Sequence, residues 1–188
     1  MTASEKELIE AAKKDKRVFA QLYDLHFKPI YHFLLSRVAD GQLAEDITSD
    51  TFMIAMEKID SYKYTGKPFR AWIYRIAINE LNQHYRKKKR EQEAFIREWH
   101  DVGEGFEAAD MDIKEKESAE EELNHVKQLN EAFHLLKNDE QDLLSLRYFQ
   151  EMSYNEIAET LNTTVNNVGV KLNRAVNRLS QLCNFELS

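Results

Sequence analysis

The stretch Phe69–Arg90, FRAWIYRIAINELNQHYRKKKR, leaves few folds open to the chain that contains it. Phe69, Trp72, Ile73, Ile76, Ala77 and Leu81 recur at three- and four-residue steps, which predicts one buried helical stripe. The remaining positions carry Arg70, Arg75, Asn79, Asn82, Gln83, His84 and Arg86, long donors of the kind that meet phosphates and base edges. Five successive cations, Arg86 to Arg90, close the stretch. Pro68 suits the first turn, where its missing N–H leaves no bond unmade. Taken alone, the same residues also describe an amphipathic core helix with a solvated basic end. The neighbouring segments decide between the two.

With five Gly, two Pro and 43% hydrophobic residues in 188, and no useful run of period-two alternation, the chain is expected to be all-α. Its length suits one mid-sized domain or two small ones. The apolar runs are too short to span a bilayer and no charged–apolar–small leader opens the sequence, so a soluble, cytoplasmic protein with no membrane partner is expected. A single cysteine, Cys183, excludes an intrachain disulfide and a cysteine-cluster zinc site. The six His form no His-Glu-x-x-His pattern, so no metal site is expected. Neither a Gly-rich phosphate loop nor a nucleophile constellation is present, and no catalytic residue and no cofactor are assigned.

The formal charge of −7 misleads until it is divided. Residues 61–90 hold nine basic side chains and one acidic, whereas residues 91–122 hold three basic and thirteen acidic. A basic stripe is followed by an acidic belt. Such segregation points to nucleic acid at one segment and a basic partner at the other.

In chain order, Ser4-Glu5-Lys6-Glu7 has a capping-box pattern for a helix to about Lys14, and Asp15 can cap the next. Pro29 should kink or restart that second helix before the Asp40-Gly41 turn. A third helix, about Leu43–Lys58, buries Leu43, Ile47, Phe52, Ala55, Met56 and Ile59 and shows Glu45, Asp46, Thr48, Ser49 and Asp50 on its polar side. Those acids also complement a helix N-terminus and need mean nothing more. The loop Ser61–Pro68, SYKYTGKP, combines stacking faces, cations and backbone freedom. Residues 91–122 read as a linker, helical at both ends.

Beyond about Glu121, Leu123, Val126, Leu129, Phe133 and Leu136 mark one helix, and Asn138-Asp139-Glu140 caps another that buries Leu143, Leu144 and Leu146. Ser153 and Glu156 make a second capping box, and Asn162 can take the left-handed conformation in the turn that follows. A longer helix then carries Val165, Val168, Leu172, Val176 and Leu179 inside. Short helix, tight turn and longer helix read as helix-turn-helix, with a generic helical hairpin as the alternative.

Three segments, FRAWIYRIAINELNQHYRKKKR, AEDITSDTFMIAMEKIDSY (Ala44–Tyr62) and LLSLRYFQEMSYNEIAETLNTTVNNVGVKLNRAVNRL (Leu143–Leu179), resemble in order the extracytoplasmic-function sigma factors, a branch of the sigma-70 family. The resemblance covers roughly residues 18–90 and 123–183. It implies two small helical domains, residues 1–95 for polymerase binding, −10 recognition and melting, and 121–188 as a helix-turn-helix domain, with an acidic linker at 96–120. It further implies docking on bacterial RNA polymerase core, at the coiled coil of the largest subunit through Asp46, Asp50, Thr51 and Phe52, and at the flap of the second-largest subunit. Promoter DNA would meet Tyr62, Lys63, Tyr64, Lys67, Arg70, Trp72, Arg75, Asn79, Asn82 and Arg86 at the melted element. Thr164, Asn166, Asn167, Val170, Lys171, Arg174 and Arg178 would meet the upstream element. The loop Ser61–Pro68 would receive an unstacked base of the non-template strand; aromatic stacking at about 1–3 kcal/mol per base suits that task. The linker would thread the RNA path of the polymerase, and an anti-sigma factor or a recruiting protein is a further partner.

One departure matters. Where relatives usually place a basic residue and a small hydroxyl, this chain has Gly169 and Val170. Weak upstream-element binding is therefore expected, since phosphate contacts supply much of the affinity. Two readings stay open: a self-sufficient promoter-specificity subunit, or a sigma-like adaptor delivered to promoters by another DNA-targeting protein.

Overall fold

A computed structural model describes residues 5–64, 68–100 and 120–183, and among them every regular element is helical. Four helices form a first bundle: α1 (Glu5–Lys14), α2 (Phe19–Val38), α3 (Gly41–Lys58) and α4 (Phe69–His100). A second bundle contains α5 (Glu120–His134), α6 (Asn138–Leu144), α7 (Tyr154–Thr160) and α8 (Val165–Leu182).

Local chemistry sets the first bundle's boundaries. Asp40 caps α3, its carboxylate accepting from the Leu43 N–H at 3.1 Å, and Ala39 closes α2 in the left-handed conformation at φ 53°. Asp15 accepts from the Arg17 N–H, but what it caps is a single tight turn, Lys16–Val18, leading into α2. Ser4 lies outside the described residues, and Glu5 acts elsewhere than in its own helix. Its carboxylate reaches across the bundle to accept from the Phe69 N–H at 3.1 Å, occupying one of the unpaired donors that open α4. Pro29 neither restarts nor splits α2, which is continuous over 20 residues. Pro29 lies on the exposed side, and so does Leu25, whose carbonyl loses the Pro29 N–H as a partner.

The predicted stripe of α4 lies inside: Phe69, Ile73, Ile76, Ala77 and Leu81 pack with Leu22, Phe33, Leu34, Ile47, Phe52 and Ile59, and Trp72 leans on them. Burial extends further than that stripe. Ala71, Tyr74 and Ile78 are also buried, so α4 is covered on two adjacent faces. Met56 is exposed, contrary to expectation; Ala55 and Ile59 take the inner positions of its turn.

In the second bundle Phe133, Leu136, Leu143, Leu144, Leu146, Met152, Ile157, Ala158, Val168, Leu172 and Ala175 make the core. Val126 and Leu129, expected inside, are exposed. Lys137 rather than Asn138 precedes α6, and the Glu140 side chain folds back to accept its N–H at 3.0 Å. After α6 the chain widens into one π-turn, with the Gln150 N–H reaching the Ser145 carbonyl at 3.0 Å. Ser153 and Glu156 form the predicted capping box of α7, and Asn162 sits at φ 50° before α8. Ala175, not Val176, faces inward in the last helix.

The bundles touch. α4 packs against α7, and Arg37 at the end of α2 meets Asp142 of α6 at 3.3 Å, both side chains being buried.

Candidate nucleic-acid interface

Loop and helix together build an aromatic cluster at the start of α4. The Tyr62 ring centroid lies 4.8 Å from that of Trp72 and 5.5 Å from that of Phe69, with Phe69 and Trp72 5.2 Å apart. Pro68 positions the turn, its carbonyl accepting from the Ala71 N–H. Tyr62 is 8% exposed, and burial, with Glu5 and Tyr64 adding to it, pushes its phenol up to about 12. Tyr62 is therefore more a wall than a protruding finger. Trp72 and Tyr64 are half-buried and Lys63 is exposed. A cavity of about 260 Å³ opens between Tyr62, Lys63, Trp72, Arg75 and Glu159. Lys67 lies outside the described residues.

Further along α4, Asn79 and Arg86 are exposed and Asn82 is half-buried; the Arg86 Nε donates back to the Asn82 carbonyl at 3.2 Å. Lys87 and Lys89 stay over three-quarters exposed while approaching Glu91 and Glu93 at 4.0 and 3.9 Å. Pairs so exposed leave the charge available to a phosphate.

Arg75, which lines the cavity, and Arg70 are both engaged. Arg70 Nε donates to the Glu156 carboxylate at 2.6 Å, and its Nη2 lies 2.5 Å from the same oxygen. Burial alone would lift the Glu156 carboxyl, but hydrogen bonds from Ser153 and Arg70 hold it below its ordinary range. Arg75 donates from Nε to the Thr160 carbonyl at 3.2 Å and from Nη2 to the Glu159 carbonyl. Those carbonyls end α7 and carry the negative pole of its dipole. Tyr74, which no sequence pattern singled out, donates its hydroxyl to Gln150 at 2.5 Å.

On α3, Asp46 and Asp50 are exposed, as a docking role needs. Thr51 and Phe52 are not. Thr51 is fully buried, its hydroxyl donating to the Ile47 carbonyl at 2.7 Å, and Phe52 packs against Tyr23. Both support the helix from inside, because residues one and two steps beyond an exposed Asp50 turn toward the core. Met53, one turn beyond Asp50, is exposed instead.

On α8, Asn166, Val170, Lys171 and Arg174 are exposed. Thr164 caps the helix, its hydroxyl accepting from the Asn167 N–H at 3.2 Å, and the Asn167 amide is held by Thr163 at 2.7 Å. Arg178 lies 3.7 Å from Glu140. The Cβ missing from Gly169 would sit 3.6 Å from Tyr154 Cε2, an ordinary contact, so space does not demand glycine there.

Two family descriptions match: Sigma-70 region 2 over residues 22–91, within the first bundle, and Sigma-70 region 4 over residues 127–179, within the second. The chain is 29% identical to the ECF RNA polymerase sigma factor BldN of Streptomyces coelicolor over 94% of its own length, though it spans only 64% of BldN. It is also 29% identical to ECF RNA polymerase sigma factor SigM of Bacillus subtilis, covering 87% of this chain and 94% of SigM. Among solved structures, CnrH in complex with the cytosolic domain of CnrY shares the fold with a TM-score of 0.67 at 23% identity, over 95% of this chain and 96% of that one. RpoE in complex with the anti-sigma factor NepR from Bartonella quintana does so with a TM-score of 0.65 at 24% identity, over 89% and 98%.

Proposed function

Since the chain belongs to the sigma-70 family, as an extracytoplasmic-function sigma factor and not an enzyme, we propose that it directs RNA polymerase core to promoters and holds the non-template strand open once melted. The observation that carries the melting step is the cavity lined by Tyr62, Trp72, Lys63 and Arg75. An unstacked base offers π faces to the rings and a phosphate to the cations, and stacking offsets much of the cost of extrusion. Residues 1–95 dock and melt, Asp46 and Asp50 presenting charge to the polymerase. Residues 121–188 meet the upstream element and the flap. An anti-sigma factor is a natural further partner, because CnrH and RpoE are each seen with a bound protein.

The second reading, an adaptor delivered by another DNA-targeting protein, is favoured by α8. Gly169 supplies no contact, and of the three cations Lys171, Arg174 and Arg178 the last lies near Glu140. In vitro transcription with core polymerase on promoters with intact and scrambled upstream elements separates the two. Scrambling that abolishes initiation supports the self-sufficient subunit; initiation indifferent to it supports the adaptor. Permanganate footprinting tests the cavity: Trp72→Ala should retain the closed complex and lose reactivity of unpaired thymines. Normal reactivity in that variant would sink the stacking mechanism.

A further inference from the structure

We propose that the segment Glu5–Lys16 is a clamp that presets the base-receiving cavity, with Glu5 as its main positioning residue. The inference rests on the melting reading of that cavity and goes beyond it, since the matched stretch, residues 22–91, begins after this segment. The two sides of the cavity come from different stretches of chain. Ser61, Tyr62 and Lys63 belong to or follow the tight turn Ile59–Ser61, whereas Trp72 and Arg75 stand on α4. Residues 5–16 grip both sides. At the start of α4 the Glu5 carboxylate accepts from the Phe69 N–H at 3.1 Å. At the other side α1 packs against the turn, and Lys16 Nζ donates to the Asp60 carboxylate at 2.7 Å and to the Met56 carbonyl at 3.3 Å.

The chemistry places most of the grip in Glu5. Gly66, Lys67 and Pro68, which precede α4, carry no side-chain acceptor, so the Phe69 N–H takes its partner from 64 residues away. A carboxylate there also suits the positive pole of a 32-residue helix. His26 flanks it, with Nε2 3.8 Å from the carboxylate and its ring 5.4 Å from that of Phe69. Ile9 and Ala12, both fully buried, anchor α1 in the bundle core. The Lys16–Asp60 pair is about half-exposed and contributes less. Phe69 touches both Tyr62 and Trp72, so where its backbone is held sets how those two rings stand at the cavity.

The test compares Glu5→Ala with Glu5→Gln, whose amide oxygen can still accept from the Phe69 N–H. In the full chain carrying Trp99→Phe, Trp72 is the sole tryptophan, and acrylamide quenching without polymerase or DNA reads its access to solvent. Glu5→Ala should raise that quenching and Glu5→Gln should leave it nearly unchanged. In holoenzyme on a promoter, Glu5→Ala should form the closed complex normally. It should lower permanganate reactivity of unpaired thymines about fivefold, the factor that a lost cap of ordinary strength gives. Glu5→Gln should restore most of that reactivity, and Lys16→Ala should lower it by less than Glu5→Ala does. If circular dichroism shows that Glu5→Ala does not fold, Glu5→Asp, which keeps the charge but falls short of the N–H, takes its place in both measurements. Unchanged quenching in Glu5→Ala would overturn the clamp. So would full permanganate reactivity in that variant, the result of a role in stability alone, or a Glu5→Gln chain as defective as Glu5→Ala. Quenching involves neither polymerase nor DNA, so its failure leaves the promoter reading intact, whereas Trp72→Ala tests that reading alone.

Discussion

Tyr62 shows how one residue can serve both the fold and the site. Its ring closes the aromatic cluster with Phe69 and Trp72, so Tyr62→Ala should cost about 2–4 kcal/mol in denaturant unfolding, as aromatic truncations in cores do. Tyr62→Phe should cost little and still melt DNA, which a strand-opening assay on both variants would show. His26 makes a pH-dependent counterpart. Burial lowers its pKa, outweighing the favourable charge of Glu5 at 3.8 Å, with Arg70 adding to the depression. The folded form therefore binds a proton less readily than the unfolded chain. Stability should fall as pH drops below about 6.5, the ordinary histidine value, and His26→Gln should flatten urea midpoints measured between pH 7 and 5. Sequence pattern made Asp46 and Asp50 legible as exposed acids. It could not separate them from Thr51 and Phe52, because a family motif counts neighbours along the chain whereas a helix turns each by about 100°.

At the scale of elements, α4 and the helix-turn-helix were legible because their periodicity and caps are strong: Ser153 with Glu156, and Asn162 at φ 50°, stand where the residues predicted. The second buried face of α4 was not. Ala71, Tyr74 and Ile78 also recur at helical steps, but a single-stripe reading assumes one neighbour, and α4 has three, α2, α3 and α7. Val126 and Leu129 failed oppositely, their apolar spacing having no helix to cover it among the described residues. In α8 the open position at Gly169 makes a direct prediction. A lysine Cβ would meet Tyr154 at 3.6 Å without displacing it, so Gly169→Lys should raise stability by about 0.5–1 kcal/mol through helix propensity. The same variant should steepen the salt dependence of DNA binding by about one unit, read from titrations at several salt concentrations.

For the whole molecule, the seam between the bundles carries a pH-dependent group. Burial pushes the Asp142 carboxyl up to about 6 against the pull of Arg37, with Asp139 adding to the rise. The folded chain therefore holds that proton more tightly than the unfolded chain. Asp142's contribution to stability is complete below about 4 and is lost as pH rises through about 6. His134 on α5, depressed by burial and by Arg37, opposes it, and Tyr85 on α4, raised by burial, stays neutral throughout. Asp142→Asn, which stays neutral, should remove this part of the pH dependence of urea midpoints measured between pH 7 and 5. Docking is tested by charge: Asp46→Lys with Asp50→Lys should abolish co-purification with core polymerase while helical content is unchanged. A last consequence follows from which cations of α4 are engaged. Arg70 and Arg75 are held by α7, whereas the run Arg86–Arg90 is exposed. Long-range attraction to DNA, which reads no sequence and weakens with salt, would fall to that run. On the proposed function, encounter and commitment would then rest on different groups: the exposed run to meet any duplex, the aromatic cluster to hold a strand only where it has opened.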